Sequence, residues 1–311
     1  MSFPVRLYGQ KQYERKALLS VLETVLAPVL PDPAQTGTVL VKPNLVSGRN
    51  AALSCTHPLV VEAVCLLLRE MGFSVRVGDS PAFGSAAQVA ARCGLDRVLA
   101  PLDVPLVNLD NPVPVRLPSG LTISLSRQAL ETDCIVNIPR LKAHGQMRLS
   151  AAIKNLFGCV CGARKAMAHL RHGDKNSCFQ ALLVEIMLAL PPAPSLVDGI
   201  VAMHTTGPIK GKALPLGLLG AARDPVPLDT ALGTILGLAP LQVPLWEECC
   251  NRSLPGSRIE ECTFPLSLPR DFDASGFITP SVLDPQRFSL PRIIKGMLTR
   301  AMKRMSSVRN S

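Results

Sequence analysis

The sequence predicts an α/β fold in which helices flank a mostly parallel sheet. Short apolar runs that are typical of buried strands alternate with stretches whose apolar residues repeat at helical spacing. Residues 38–45 form the first such run, residues 58–72 keep the helical spacing, and residues 73–78 alternate as a second strand. Pro58 suits the first turn of that helix and Gly72 suits its end. Strands that alternate with helices in this way indicate a parallel sheet.

The alternation continues to about residue 240, so residues 1–240 are predicted to form the core domain. Further strands are predicted over residues 134–138, 196–202 and 214–222, and further helices over residues 84–93, 150–157, 177–190 and 229–236. Residues 241–284 are rich in proline, and an irregular cap over the core is expected there. Residues 285–311 repeat apolar residues at helical spacing and are predicted to form a terminal amphipathic helix with a basic face.

The charge of the chain is concentrated in that tail. The formal net charge is +10, and residues 285–311 hold seven basic residues and no acidic residue. The rest of the chain is close to balanced and contains few aromatic residues for base stacking, so no nucleic-acid partner is expected. A basic amphipathic helix predicts peripheral attachment to an anionic membrane or to an acidic protein, the alternative being a terminal helix that packs on the core.

The sequence contains no pattern that predicts a membrane-spanning helix or a secretory leader. The best candidate for a span, residues 179–190, contains Glu185 and ends at Pro191. Residues 1–16 have no apolar stretch after their charges. We therefore expect a cytoplasmic protein. The charge of the tail also predicts peripheral association with a membrane.

Polar residues follow several predicted strands at the point where each strand is expected to end. Because ligands bind at the carboxyl ends of parallel strands, we expect these side chains to line a pocket. The candidate ligand-binding residues are Lys42, Asn44, Asp79, Ser80, Asn137, Arg140 and Asp198. For Asp79 the alternative is an ordinary turn residue before Pro81. A further carboxylate, Asp229, is a candidate with the alternative role of capping the helix that follows it.

A basic segment, residues 133–165, carries most of the predicted chemistry. Lys142 and Lys154 suit a carboxylate or a phosphate, so an anionic small molecule is the expected ligand. Lys154 and Asn155 lie inside an otherwise apolar helix, and a buried lysine needs a partner or has a shifted pKa. His144, placed on a loop that ends in glycine, is the predicted proton carrier, with Lys142 and Lys154 as the other catalytic candidates. A structural histidine and a solvated basic face are the alternatives.

Two of the ten cysteines, Cys159 and Cys161, are spaced so that both would point the same way in an extended loop. With the histidines and Cys178 that follow, they are candidates for binding a divalent metal or an iron–sulfur cluster. The spacing matches no standard cluster motif, and cysteines scattered in the core are the alternative. Residues 167–175 are expected to form a mobile loop over the site, in which His169 contacts the substrate rather than a metal.

The motifs that the sequence lacks narrow the range of functions. No GxxxxGK[ST], GxGxxG, GxSxG or HExxH pattern occurs, which argues against a P-loop NTPase, a standard Rossmann dehydrogenase, an α/β-hydrolase and a zincin. Gly207 and Gly211 frame a loop after a predicted strand. That loop is expected to close over a bound ligand.

Seven short motifs occur in one order: KPNL at 42–45, THP at 56–58, GDSP at 78–81, NIPRLKAH at 137–144, AIKNLFG at 152–158, VDGI at 197–200 and RDPVPLD at 223–229. This series covers about residues 38–240 and resembles the bacterial and archaeal family catalogued as domain of unknown function 362. The resemblance implies an α/β fold with a binding site. Many relatives continue into a ferredoxin-type domain, which implies a link to electron transfer. This chain departs there, since only Cys249, Cys250 and Cys262 follow residue 240.

Three functions are compatible with these observations. The first is a cytoplasmic enzyme that binds an anionic small molecule in a pocket of lysine, asparagine and histidine side chains. The second is an iron–sulfur-associated redox or electron-transfer protein, as the resemblance implies. The third is a non-catalytic module that its basic tail recruits to an assembly.

Overall fold

The computed structural model describes residues 2–162, 164–173 and 178–284. The amphipathic helix predicted over residues 285–311 lies outside these residues. Among the helices that the structure describes, none is long and apolar enough to cross a membrane.

A large sheet organises the described chain, and its strands form from the short apolar runs of the sequence. The strands are β1 (Phe3–Gly9), β2 (Thr38–Pro43), β3 (Ser74–Asp79), β4 (Leu106–Asn108), β5 (Pro112–Arg116), β6 (Thr122–Ser126), β7 (Cys134–Ile138), β8 (Arg140–His144), β9 (Arg148–Ser150), β10 (Ser195–His204), β11 (Lys212–Leu214), β12 (Leu218–Ala222) and β13 (Cys262–Thr263). The strand order across the large sheet is β13-β1-β12-β10-β7-β2-β3-β4, while β5 and β6 pair with each other in a separate antiparallel sheet. From β10 to β4 each neighbouring pair is parallel, which confirms the predicted fold class.

Helices cover both faces of this sheet. They are α1 (Arg15–Val25), α2 (Ala51–Ser54), α3 (Pro58–Glu70), α4 (Ala86–Cys93), α5 (Leu95–Leu99), α6 (Arg127–Leu130), α7 (Ala152–Leu156), α8 (Arg164–His172), α9 (Cys178–Leu188), α10 (Pro225–Ile235) and α11 (Pro244–Asn251). Along β2, Val39 and Val41 pack with α1 and α3, whereas Leu40 packs with α9 on the other face. Successive strand residues point to opposite faces, so a strand that is covered on both sides is apolar throughout.

Several predicted boundaries were wrong, and the most important concerns residues 140–144. These residues form β8 rather than a loop, and β10 continues to His204, so Arg140 and Asp198 lie within strands rather than beyond their ends. Leu141 and Ala143 lie in an apolar core, while the basic side chains between them share the other face. Apolar and basic residues therefore alternate along the segment, as in a strand. The prediction missed this pattern because the residues between the apolar ones are basic although they are buried.

Three other segments also differ from the expectations. The run predicted as one strand over residues 214–222 divides into β11 and β12 around a turn at Gly217, whose φ is +68°. Most of the predicted mobile loop over residues 167–175 belongs to α8, while residues 174 and 175 lie outside the described part. The helix predicted from Asp229 begins earlier, at Pro225, where proline suits the first turn.

The proline-rich segment after residue 240 packs against the apolar core that contains Leu141 and Ala143. Its helix α11 carries Trp246, whose ring occupies the space beside Gly233 of α10. The indole Nε1 donates a hydrogen bond of 2.7 Å to the carbonyl oxygen of Ser257. The strand β13 then pairs with β1 at the edge of the sheet. The division into a core domain and a cap stays a prediction.

A buried ion pair joins β8 and β10 to the helical layer above them. Arg140 Nη1 donates to Asp198 Oδ2 at 2.6 Å, and neither side chain is more than 2% exposed. Two residues that the sequence did not identify as site residues complete the cluster: Tyr13 donates its hydroxyl proton to Asp198 Oδ1 at 2.8 Å, and the backbone N–H of His57 donates to Oδ2 at 2.9 Å. The Tyr13 and His57 rings are stacked with centroids 3.7 Å apart. Asp198 thus holds β8, β10, α1 and α3 together.

We predict that Asp198→Asn destabilises the fold severely, because it leaves the Arg140 guanidinium buried without a counter-charge. The expected loss in the free energy of unfolding is about 3 kcal/mol, measured by urea denaturation. The matched control is Glu131→Gln, which breaks the exposed pair between Arg127 and Glu131 and should change stability little. Equal effects of the two substitutions would contradict the structural role of Asp198.

Candidate functional site

A second buried ion pair forms where β2 and β3 end side by side. Lys42 Nζ donates to Asp79 Oδ1 at 2.9 Å, and both side chains are at most 3% exposed. The backbone N–H groups of Leu45 and Ser80 donate to the same carboxylate at 2.7 and 2.8 Å. Asp79 is therefore more than a turn residue, because it neutralises a buried lysine and fixes the two loops that leave the sheet.

Three asparagines connect this ion pair to the neighbouring strands. Asn155 Nδ2 donates to Asn137 Oδ1 at 2.8 Å, and Asn44 Nδ2 donates to Asn155 Oδ1 at 2.7 Å. Lys142 Nζ donates to Asn44 Oδ1 and also to the carbonyl oxygen of Ser54, the latter at 2.8 Å. Burial lowers the pKa of Lys142 to about 7. The network brings together side chains from β2, β7, β8 and α7 that are far apart in the sequence.

The glycine of the AIKNLFG motif allows α7 to approach this network closely. A Cβ atom at Gly158 would lie 2.2 Å from Lys42 Nζ and 2.4 Å from Asp79 Oδ1, so a larger residue there would displace the ion pair. The other end of the motif is held by Asp229, whose carboxylate accepts hydrogen bonds from the N–H groups of Ala152 and Ile153 at 2.7 and 3.1 Å. Burial raises the pKa of Asp229 to about 7. Asp229 thus caps α7 from within α10, and the alternative role, in which it caps the helix that follows it, was wrong.

Lys154 differs from the other lysines of the site because, among the described residues, neither a carboxylate nor another protein oxygen pairs with its ammonium. Its half-buried ammonium lies 5.5 Å from the centroid of the Phe157 ring, and among the described residues no hydrogen-bond acceptor contacts it. Burial lowers the pKa of Lys154 to about 8, so the ammonium is present at neutral pH. Its positive charge lowers the pKa of Lys142, His144 and His169, which places these groups close together.

The two histidines near Lys154 are buried and neutral. Burial, followed by the charge of Lys154, lowers the pKa of His144 well below its usual range. The Nδ1 atom of His144 accepts hydrogen bonds from the N–H groups of Gln146 and Met147 at 3.1 and 3.2 Å, so its proton is on Nε2. Burial lowers the pKa of His169 to about 3. The His169 ring packs with Phe157 and Phe179 at centroid distances of 5.5 and 4.3 Å.

Lys165 is a further member of the site that sequence reasoning did not select. Its ammonium donates to the carbonyl oxygen of Ser80, while the N–H of Gly162 donates to the Ser80 hydroxyl at 3.2 Å. Burial lowers the pKa of Lys165 to about 8. In the sequence, Arg164 and Lys165 form a basic pair at the start of an amphipathic helix. Such a pair is common on exposed helices, so it did not mark Lys165 as a site residue.

The loop after β10 lies against β8, close to His144. A Cβ atom at Gly207 would lie 2.0 Å from the carbonyl oxygen of Ala143, so only glycine fits at this crossing. Asn50 Nδ2 donates to the carbonyl oxygen of Ile209 at 2.9 Å and ties the same loop to the segment after β2. Gly207 thus borders the site through its backbone, and closure of this loop over a ligand stays a prediction.

Cys159 and Cys161 are buried behind the site, and burial raises the pKa of both thiols. The third candidate ligand, Cys178, is exposed. Within residues 2–162, 164–173 and 178–284, no group of three or more histidine, cysteine, aspartate or glutamate side chains is arranged to hold a metal ion. Binding of a divalent metal or an iron–sulfur cluster stays a prediction.

The sequence-predicted residues therefore fall into three groups. Lys42, Asn44, Asp79, Asn137, Lys142 and Asn155 form one hydrogen-bonded network, which Ser80 adjoins. Lys154, His144 and His169 form an electropositive group beside it. Arg140 and Asp198 form a separate structural pair. The second group is the one whose charge is not balanced by the described residues.

The chain was compared with known proteins and structures. It is 38% identical over 296 residues to "Thylakoid-associated protein sll1697" of Synechocystis sp., a match that covers 94% of this chain and 92% of the relative. The lactate racemase apoprotein of Thermoanaerobacterium thermosaccharolyticum has a TM-score of 0.48 at 15% identity. That match covers 75% of this chain, which spans 57% of the racemase chain.

Residues 39–233 match the model of one protein family, and this stretch contains all the members of the network and of the electropositive group. The match covers most of the chain and includes all seven motifs, from KPNL to RDPVPLD. The chain belongs to the family described as "Domain of unknown function (DUF362)".

Proposed function

We propose that this chain is an enzyme that binds an anionic small molecule, a carboxylate or a phosphate, with the ammonium of Lys154 as the primary contact. The observation that supports this proposal is the half-buried ammonium without an acidic partner among the described residues. Partial removal of a charge from water is costly unless an opposite charge is close by. A bound anion would supply that charge and would be attracted more strongly than in bulk water.

The other lysines of the site have a different role in this proposal. Lys42 is neutralised by Asp79, and Lys142 donates to Asn44 and Ser54, so both are occupied by protein oxygens. They fix the loop after β2 rather than contact the ligand first. His144 and His169, both neutral beside Lys154, are the groups that would exchange a proton with the ligand.

We predict that Lys154→Gln abolishes anion binding and leaves the fold stable. The substitution removes the attracting charge and also removes the cost of a half-buried ammonium. Sulfate, as a tetrahedral stand-in for phosphate, and malonate, as a dicarboxylate, serve as probes in thermal-shift titrations. The expected loss of affinity is at least tenfold, or about 1.4 kcal/mol. Lys210→Gln, at an exposed lysine outside the group, is the control and should bind as the wild type does. A Lys154→Gln protein that binds both probes normally would refute the proposal.

We predict that sulfate binding weakens as the pH rises above about 8. The pKa of Lys154 is lowered to about 8, so the ammonium that attracts the anion is present below this pH and is lost above it. Loss of charge on Lys142, whose pKa is about 7, acts in the same direction. Affinity should fall by up to about tenfold per pH unit above pH 8. Calorimetric titration from pH 6 to 10 measures this, since sulfate does not change its charge in that range. Affinity that is constant or rises with pH would contradict the role of Lys154.

We also propose that the chain associates peripherally with an anionic membrane through its tail. Two observations favour this: a relative that matches nearly the whole chain is named for its association with thylakoids, and the seven basic residues of the tail are accompanied by no acidic residue. Each basic residue near an anionic surface contributes about 1 kcal/mol to binding at low salt. Docking on an acidic protein is the alternative, and a vesicle-binding test distinguishes it from membrane association.

We predict that charge reversal in the tail abolishes vesicle binding. The variant changes Lys295, Arg300, Lys303 and Arg304 to glutamate, and it should no longer float with vesicles rich in phosphatidylglycerol. The control reverses four exposed basic residues of the body instead, namely Lys11, Lys16, Arg258 and Arg270. Neutral phosphatidylcholine vesicles should bind neither the wild type nor the variants. Equal flotation of the tail variant and the wild type would exclude tail-mediated membrane binding.

A further inference from the structure

Cys55 lies where the candidate site borders the apolar core that α1, α3 and α4 cover. It follows the last residue of α2, it is fully buried, and it packs in the core that α1, α3 and α4 cover. Cys93 lies at the carboxyl end of α4, is partly exposed, and packs against the same core. The two thiols contact each other through a side-chain hydrogen bond.

The segment between β2 and α2 holds the two cysteines together. Cys55 Sγ lies 3.9 Å from the carbonyl oxygen of Ser47 and 3.8 Å from the Ser54 hydroxyl. One residue further, the backbone at Gly48 approaches the side chain of Arg92 so closely that a Cβ atom there would lie 3.0 Å from Arg92 Cγ. Since Arg92 precedes Cys93, the same short segment contacts both partners. A disulfide requires two cysteines that lie close together, and this packing brings Cys55 and the end of α4, which carries Cys93, to the same junction.

The charges around Cys55 favour its thiolate. The side chains of Lys142 and Arg140, which share one face of β8, both interact with the sulfur. Arg140 Nε is buried and has no hydrogen-bond partner among the described residues, so this edge of the guanidinium is not occupied by a protein acceptor. The hydrogen bond from the Cys93 thiol, a backbone hydrogen bond at Val46 and the charge of Lys142 lower the pKa of Cys55 to about 6 against the opposing effect of burial, while the pKa of Cys93 is raised. The thiolate is the nucleophile in disulfide exchange, so Cys55 is suited to the second step, in which it attacks a neighbouring sulfur rather than an oxidant from solution.

We propose that Cys55 and Cys93 form a reversible disulfide, with a low-molecular-weight disulfide as the oxidant. The partly exposed Cys93 loses its proton and attacks one sulfur of the oxidant, RSSR. The S–S bond of the oxidant breaks, the first RS⁻ takes up a proton, and a mixed disulfide Cys93–S–S–R remains. The Cys55 thiolate then attacks the Cys93 sulfur, and the second RS⁻ leaves. The two cysteine sulfurs lose two electrons and the oxidant gains them. The Cys93 proton balances the first released thiol, and the second RS⁻, which the Cys55 thiolate displaces, takes its proton from water.

The disulfide would change the charge that lies next to Lys142 and Arg140. The thiolate of Cys55 raises the pKa of Lys142, and a disulfide carries no charge, so oxidation removes an anion from beside Lys142 and Arg140. It would also fasten the end of α4 to the residue that precedes Thr56 and His57. Formation of the link does not depend on the proposed anion binding, since neither cysteine belongs to the electropositive group.

The test uses the full-length protein in buffers of oxidised and reduced glutathione, followed by alkylation of free thiols, tryptic digestion and mass spectrometry. Trypsin places Cys55 in the peptide of residues 50–69 and Cys93 in the peptide of residues 93–97. We expect these two peptides to be joined in the oxidised sample and separate after treatment with dithiothreitol. The absence of the joined peptide at every glutathione ratio would overturn the proposal.

Matched variants identify the sulfur atoms, because the peptide of residues 50–69 also contains the buried Cys65. Cys55→Ala and Cys93→Ala should each abolish the joined peptide, and the second changes a partly exposed position that tolerates substitution. Cys65→Ala is the control and should retain the link. A link that survives in Cys55→Ala, or that disappears only in Cys65→Ala, would show that another pair reacts and would refute the assignment.

Discussion

The rest of the site depends on the ion pair between Lys42 and Asp79. These residues lie at the ends of two adjacent parallel strands, so the pairing of the strands alone brings an ammonium and a carboxylate together. Both charges are buried, and each would be costly alone, so the surrounding backbone must satisfy them. Leu45 and Ser80 supply backbone N–H groups, and Gly158 leaves the space that the pair occupies. The loops after β2 and β3 and the end of α7 are therefore fixed by one interaction.

Around this pair lie several cations that stabilise the fold and one, Lys154, that the proposed function assigns to a ligand. Lys42 and Arg140 each have a carboxylate, and Lys142 and Lys165 each donate to protein oxygens. Within the described part of the chain, Lys154 lies over the Phe157 ring and no carboxylate or protein oxygen pairs with its ammonium. Burial lowers the pKa of several of these lysines to between about 7 and about 8, so their charges depend on the pH near neutrality. The proposed ligand would thus complete a charge balance that the described residues leave open.

The sequence predicted the fold class and the meeting of strand ends, because hydrophobic periodicity and the rule for parallel sheets are local patterns. Lys42 and Asp79 lie together for that reason. Arg140, Lys142 and His144 were assigned to a loop because three basic side chains on one face of a buried strand violate the usual composition of strands. The cap that Asp229 provides for α7 was beyond sequence reasoning, since α10 and α7 meet only in the folded chain. The same holds for Tyr13 and His57 at Asp198.

The strand β8 connects the proposed cysteine pair with the electropositive group of Lys154, His144 and His169. Its polar face carries Arg140, Lys142 and His144 in succession, two residues apart. Arg140 reaches Asp198, Lys142 reaches Asn44 and the end of α2, and His144 lies beside Lys154. The charge next to Cys55 and the charge next to the proposed ligand are therefore held on the same rigid element. A change in the charge of Cys55 acts on Lys142 directly and on Lys154 only through that neighbour, so its effect on the ligand is expected to be smaller than the effect of removing Lys154.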